Sequence, residues 1–93
     1  MRENVSFFNI KGTVMGLSYN KIATATIVNV WVENGVGRYN IVLSDTAKGF
    51  DLNLLRFGHS VRFKGVAHDF EFINDFGERK VSTHYNALQM IAE

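Results

Sequence analysis

Alternation of apolar and polar side chains is the feature of this chain that most restricts its fold. It runs through most of the 93 residues and is interrupted once. In the stretch VRFKGVAHDFEF, alternate residues separate into two strips, one with Val61, Phe63, Gly65 and Ala67, the other with Arg62, Lys64, Val66, His68, Phe70 and Phe72. A period of two is that of a β-strand, whose successive side chains point to opposite faces. The pattern therefore predicts a fold built from strands.

Turn residues divide the alternating stretches into five predicted strands. Their expected bounds are about Val5–Leu17, Ile22–Glu33, Arg38–Ser44, Val61–Phe72 and Arg79–Ile91. The segment SYNK, Ser18–Lys21, is the predicted first turn. NGVG, Asn34–Gly37, indicates a hairpin because Asn-Gly tolerates the positive φ of tight turns. NDFGE, Asn74–Glu78, joins the last two strands.

The interruption is DLNLLRFG, which predicts about two turns of helix between the third and fourth strands. Asp51 is suited to cap its first turn, and Leu54 and Phe57 fall on one face. Gly58 is suited to end it in a left-handed conformation.

Glycines inside two predicted strands indicate where the sheet bends. Gly12 and Gly65 would weaken flat strands, but each suits a bend or a bulge of the kind that a small barrel requires. Five strands with a short helix after the third is the order of the OB-fold, an all-β Greek-key barrel. We expect one such domain over residues 1–93; another small β-barrel or a flat α+β sheet is the alternative.

Composition and motifs argue against several functional classes. The formal charge is +1, so a polyanion would have to be held by a local arrangement, and there is no cysteine for a disulfide or thiolate site. His59, His68 and His84 lack metal-ligand spacing, and neither a phosphate-binding loop nor a nucleophile motif occurs. No stretch resembles a signal peptide or a membrane span. We expect a cytoplasmic protein with no catalytic activity, metal or cofactor.

The second strip of the fourth strand is typical of a surface that binds single-stranded nucleic acid. Such surfaces combine aromatic rings, on which bases stack, with cations for the phosphates. Phe70 and Phe72 are expected about 6–7 Å apart on one face, and Arg62 and Lys64 continue it. The alternative is that the rings cover a second apolar layer or a subunit contact and that the cations are only solvated.

Other candidates extend this surface. Trp31 is out of phase with Val28, Val30 and Val32, so we expect its indole to face outward. Arg38 begins the third strand on the same side. The last hairpin adds Phe76, Arg79 and Lys80, although it is equally consistent with a polar loop that bears one ring.

Adjacent phenylalanines in the first strand suggest self-association. Phe7 and Phe8 cannot both face one core, so one of them is expected to meet another subunit. A homodimer or homotetramer through this strand is the prediction. Packing of one ring under a terminal segment is the alternative.

Several short motifs, taken together, resemble the bacterial and phage single-stranded DNA-binding proteins, which include dimers like primosomal replication protein N. The likeness covers nearly the whole chain and is clearest in residues 57–91, where Phe57-Gly58, the Val61, Phe63 and Gly65 pattern, and the closing LQMI are similar to the family's strands 4 and 5. NIKGTV and YNIVLSDTA are similar to its first and third strands.

The resemblance implies binding to single-stranded DNA with little sequence preference. It places Phe72 at a base-stacking position, while Arg38 stands where the family often has a tryptophan and Ser44 where it often has a phenylalanine. The chain also ends at Ala92-Glu93 without the family's acidic tail, so we expect no recruitment of partners through such a tail. A protein-interaction module whose aromatic strip binds another chain, and single-stranded RNA binding, are the two other functions considered.

Overall fold

A computed structural model describes residues 3–93, and their side chains from Asn4 onward. The elements are β1 (Glu3–Ile22), β2 (Ala25–Glu33), β3 (Arg38–Ser44), a single 3-10 turn (Leu52–Leu54), β4 (Ser60–Ile73) and β5 (Arg79–Ala92). The strands close a barrel in the order β1-β2-β3-β5-β4, with β4 paired back to β1. All pairs are antiparallel except β3 with β5. This confirms the predicted five-stranded barrel of the OB type.

Alternating apolar residues fill the interior of the barrel. The fully buried cluster consists of Val14, Val28, Val30, Val32, Ile41, Leu43, Leu55, Val61, Phe63, Ala87 and Met90. In β4 the buried positions are odd-numbered, from Val61 to Ala67, so the predicted assignment of its two faces is confirmed. The even-numbered side chains consequently lie on the outside of the barrel.

Two irregular positions allow the long strands to bend around this core. β1 pairs with β4 through residues 3–13 and with β2 through residues 13–22, with a register shift between Val14 and Gly16. A second shift lies at Lys64/Gly65 and leaves Leu88 of β5 without a paired residue in β4. A Cβ on Gly65 would lie 2.0 Å from the Asn86 carbonyl oxygen, so only glycine fits there. The predicted bulge at this position is confirmed.

The first two hairpins differ from their predicted form. SYNK is not a turn: Tyr19 pairs with Val28 and Lys21 with Thr26, and the chain reverses at residues 23–24. Strand-favouring residues on both arms extend the ladder past the polar residues that indicated a turn. The hairpin at Asn34 is present, but without positive φ at Asn34 or Gly35. The Asn34 side-chain oxygen instead accepts from the Val36 and Gly37 N–H groups.

The predicted two-turn helix is a single 3-10 turn. Asp51 caps it by accepting from the Asn53 N–H at 2.9 Å, as expected. The buried anchor is Leu55, however, whereas Phe57 is 73% exposed. The next residues pair with β1 instead of continuing a helix, because Gly58 N–H donates to the Val14 carbonyl at 2.8 Å. Gly58 has the predicted positive φ, 87°. Within residues 3–93 no helix has the length and apolarity needed to cross a bilayer.

Candidate nucleic-acid interface

A groove of about 380 Å³ runs along the outside of the barrel between β3 and β5. The two strands are joined by only two residue pairs, Ile41 with Tyr85 and Val42 with Asn86. The groove is lined by Asn29, Asn40, Val42, Ser82, Thr83, His84, Tyr85 and Asn86. None of these residues is lysine, arginine, aspartate or glutamate. The lining is therefore polar and carries no fixed charge.

Trp31 lies beside this groove on the outer face of β2. It pairs with Gly16 on one side and with Asn40, a groove residue, on the other, and is 44% exposed. Its neighbours Val30 and Val32 are buried, so the predicted outward phase of the indole is confirmed. Arg38 lies further along β3, opposite Glu33, with its guanidinium Nε 3.5 Å from the Glu33 carboxylate. The Arg38 side chain is 85% exposed, so the guanidinium remains accessible to an anion.

Aromatic rings border the groove on the β4–β5 side as well. The Phe70 ring lies edge to face against His84, with centroids 5.1 Å apart, and is stacked with the His68 ring at 6.1 Å. The Ser82 hydroxyl oxygen lies 3.2 Å from His84 Nε2. Phe70 is therefore half-buried among imidazoles. Phe72 is on the same face, as predicted, and is 43% exposed opposite Lys80.

The hairpin that joins β4 to β5 ends in a tip held by one side chain. Asn74 Oδ1 accepts from the N–H groups of Phe76, at 2.9 Å, and of Glu78, at 3.0 Å. This turn leaves Phe76 88% exposed. Arg79 and Lys80 begin β5 immediately after it, and Lys80 Nζ lies 3.7 Å from the Glu78 carboxylate. An aromatic ring and two cations thus lie within a few residues of Phe72.

Arg62 and Lys64 share a face with Phe70 and Phe72 but lie at the other end of β4. Eight to ten residues of strand, about 25–35 Å, separate them from Phe72. Arg62 donates to Asn9 at 2.7 Å and to the Glu93 carboxylate at 2.5 Å, and this hydrogen bond lowers the pKa of Glu93. The structure therefore does not bring these two cations next to the rings, and their contact with nucleic acid stays a prediction.

Sequence reasoning missed the β5 side of the groove. The available signal was the polar alternation Lys80, Ser82, His84, Asn86, which marks an outward face as clearly as the strip in β4 does. The alternation within β5 alone did not indicate which residues of β3 lie beside it. That adjacency places His84 and Asn86 next to Asn40.

A second groove, of about 360 Å³ and mostly apolar, involves β1. Phe7, Phe8, Lys48, Lys64, Gly65, Leu88 and Gln89 line it. Phe7 is 90% exposed and the bulged Leu88 is 61% exposed. Phe8 points the other way and packs against Tyr85 in the core, with ring centroids 5.3 Å apart. One of the two adjacent phenylalanines therefore faces away from the core, as predicted.

The chain has the fold of solved single-stranded DNA-binding proteins. It matches the mitochondrial single-stranded DNA-binding protein Rim1 of S. cerevisiae with a TM-score of 0.69 and 16% identity, over 96% of this chain and 94% of that one. A small single-stranded DNA-binding protein of Streptomyces coelicolor matches with a TM-score of 0.62 and 13% identity, over 97% and 95%. No family model matches the sequence, and no curated protein does.

Proposed function

We propose that this protein binds single-stranded DNA by stacking bases on exposed aromatic rings and contacting phosphates with neighbouring cations, without performing chemistry. One observation carries the proposal. Trp31 and Phe70 border the same neutral groove, and Phe72, Phe76 and nearby cations continue its β4–β5 side. The two solved proteins of the same fold are named for this activity, which supports the proposal.

The energy of such binding comes mainly from the rings. A base stacked on an aromatic side chain is worth about 1–3 kcal/mol by alanine substitution, so Trp31, Phe72 and Phe76 can supply most of a micromolar affinity. Among the described residues, the cations beside these rings are Arg38 of β3 and Arg79 and Lys80 of β5. Because stacking needs only the π-face of a base, overall sequence preference is expected to be weak. Replication, recombination or repair in the cytoplasm would supply such a ligand.

Alanine substitution of Phe72 tests the stacking. We expect Phe72→Ala to weaken binding of a fluorescently labelled oligothymidylate by about 5- to 150-fold, the range that corresponds to one stacked base. The melting temperature of the Phe72→Ala protein should differ little from that of wild type, since the Phe72 ring is 43% exposed. Phe57→Ala is the matched control because its ring is 73% exposed on the loop before β4. Equal affinities for wild type, Phe72→Ala and Phe57→Ala would count against the proposed site.

Salt dependence tests which cations touch phosphate. Three contacts, from Arg38, Arg79 and Lys80, predict that log K falls against log salt with a slope of about −2. Lys64→Ala tests whether Lys64 adds the further contact that the sequence predicts: the slope stays the same if only these three cations touch phosphate. A wild-type slope of about −3 or steeper that Lys64→Ala reduces would extend the binding path to the far end of β4. A slope near zero would contradict binding to a polyanion.

We further propose that the protein self-associates through β1, as a homodimer or homotetramer. Phe7 and Leu88 supply exposed apolar surface, and burying a ring such as Phe7 contributes about 1.5–3 kcal/mol. Phe7→Asp should lower the mass measured by sedimentation equilibrium to that of the 10.5 kDa chain. Phe57→Asp, on another exposed ring, should not. A wild-type protein that sediments as a monomer at micromolar concentration would contradict self-association.

Two other functions remain distinguishable by experiment. A protein-interaction module, whose aromatic strip at Phe70 and Phe72 would bind another chain, would show no affinity for oligothymidylate. Stacking alone does not discriminate the sugar, so oligouridylate is the direct comparison for RNA binding. Tighter binding of oligouridylate than of oligothymidylate would assign the surface to RNA.

A further inference from the structure

The groove between β3 and β5 carries amide groups that form no hydrogen bond within the described part of the protein. Asn29, Asn40 and Asn86 come from three different strands and meet around this groove. Within the described part of the chain, none of the three side-chain amides takes part in a hydrogen bond. Each has two N–H donors and one carbonyl acceptor. The groove therefore offers both kinds of hydrogen-bonding group to a ligand.

The chemistry of the groove favours a base over a phosphate. A phosphate brings negative charge and acceptors only, and removing it from water without a cation is costly. Among the residues whose side chains the structure describes, no lysine or arginine lines the groove; Arg38 and Lys80 lie outside it. The edge of an unstacked base is neutral and presents donors beside acceptors, which matches the amides.

We propose that this groove reads the edge of a nucleobase through Asn29, Asn40 and Asn86. The inference rests on the proposed function and deepens it, because it adds hydrogen-bond recognition at one nucleotide to stacking that is indifferent to sequence. His84, in contact with Phe70 and with the Ser82 hydroxyl, forms the β5 wall. The bound DNA strand is oriented with this base inward and its phosphates toward the cations outside the groove.

An abasic DNA strand distinguishes recognition of a base edge from binding of phosphates. Wild-type protein and variants are titrated with an oligothymidylate and with an abasic strand of the same length. Asn40→Ala and Asn86→Ala should each weaken binding of the oligothymidylate about three- to ten-fold, the effect of one lost hydrogen bond. Their affinity for the abasic strand and their salt slope should equal those of wild type. Asn53→Ala, an exposed asparagine in the 3-10 turn, is the matched control.

Lys80→Ala provides the opposite signature, since it should weaken binding of both strands and reduce the salt slope by about 0.7. The inference is overturned if the asparagine variants weaken both strands equally or weaken neither. Failure of wild-type protein to bind oligothymidylate would instead remove the proposed function itself. Thermal unfolding verifies that each variant folds, and Asn40→Ser and Asn86→Ser replace any alanine variant that melts early.

Discussion

Tyr85 shows how a single side chain joins the core to the proposed binding surface. Its ring packs edge to face against Phe8 and Tyr39, with centroids 5.3 and 5.5 Å away, while the residue also lines the groove. Burial, and then the nearby Tyr39 and Asp69, raise the pKa of the Tyr85 phenol. The phenol consequently keeps its proton in the folded chain at a pH where the unfolded chain has released it.

This shift predicts a loss of stability at high pH. Because the folded-state pKa is the higher one, the contribution of Tyr85 is fully present below its unfolded pKa, about 10, and is lost as pH rises through the folded value. Urea unfolding at a series of alkaline pH values should show a decline that Tyr85→Phe reduces. Tyr19→Phe, at a position 55% exposed, is the control. An identical decline in Tyr85→Phe and wild type would show that the phenol is not coupled to folding.

At the scale of elements, the bulge at Gly65 shapes the face where β1, β4 and β5 meet. The bulge leaves Leu88 of β5 unpaired with β4, and the Leu88 side chain contributes to the apolar groove beside Phe7. A Cβ at Gly65 would collide with backbone of β5, 2.0 Å from the Asn86 oxygen and 2.7 Å from the Ala87 Cα. The two strands cannot keep this register with any larger residue.

Gly65→Ala is therefore expected to destabilise the barrel by at least about 2 kcal/mol, the scale of a forced shift in a packed structure. Gly16→Ala is the matched control, because no atom lies within 4 Å of a Cβ built there. Denaturant unfolding measures both. A Gly65→Ala variant as stable as Gly16→Ala would mean that the bulge can relax without cost.

Elements were predictable where their signal was local. Alternation identified all five strands, Asp51 marked the start of the 3-10 turn, and Gly58 has the positive φ that its position predicted. Errors arose where a distant partner decided the conformation. Pairing with β2 kept Ser18–Lys21 extended, and hydrogen bonds to Val14 drew the residues after Leu55 away from a helix.

At the scale of the whole molecule, the predicted placement of the site residues was likewise correct where it depended on local signals and incomplete where it depended on contacts between strands. Outward positions such as Trp31 and Phe72 followed from phase along one strand. Which strands lie side by side did not, so Asn86 was overlooked. Arg62 and Lys64 share the phase of Phe72 but lie eight to ten residues from it along β4, so phase alone does not make them neighbours of the ring. The parallel pairing of β3 with β5 depends on closure of the barrel, and neither segment carries a sequence pattern that indicates the paired residues.

The barrel presents two different surfaces, the neutral groove between β3 and β5 and the apolar groove at Phe7. An intrinsic fluorophore can test which of them binds DNA. Trp31 is the only tryptophan in the chain and lies beside the neutral groove, whereas the apolar groove at Phe7 is formed by β1, β4, β5 and Lys48. Tryptophan emission therefore reports on the proposed nucleic-acid face alone.

The most direct measurement is a titration of Trp31 fluorescence with poly(dT). Stacking of bases on Trp31 predicts quenching that saturates as the DNA covers the groove, and that reverses when salt is added, since the phosphate contacts are lost. Unchanged emission, under conditions where anisotropy of a labelled strand shows binding, would place the DNA elsewhere on the barrel and contradict base stacking beside the β3–β5 groove.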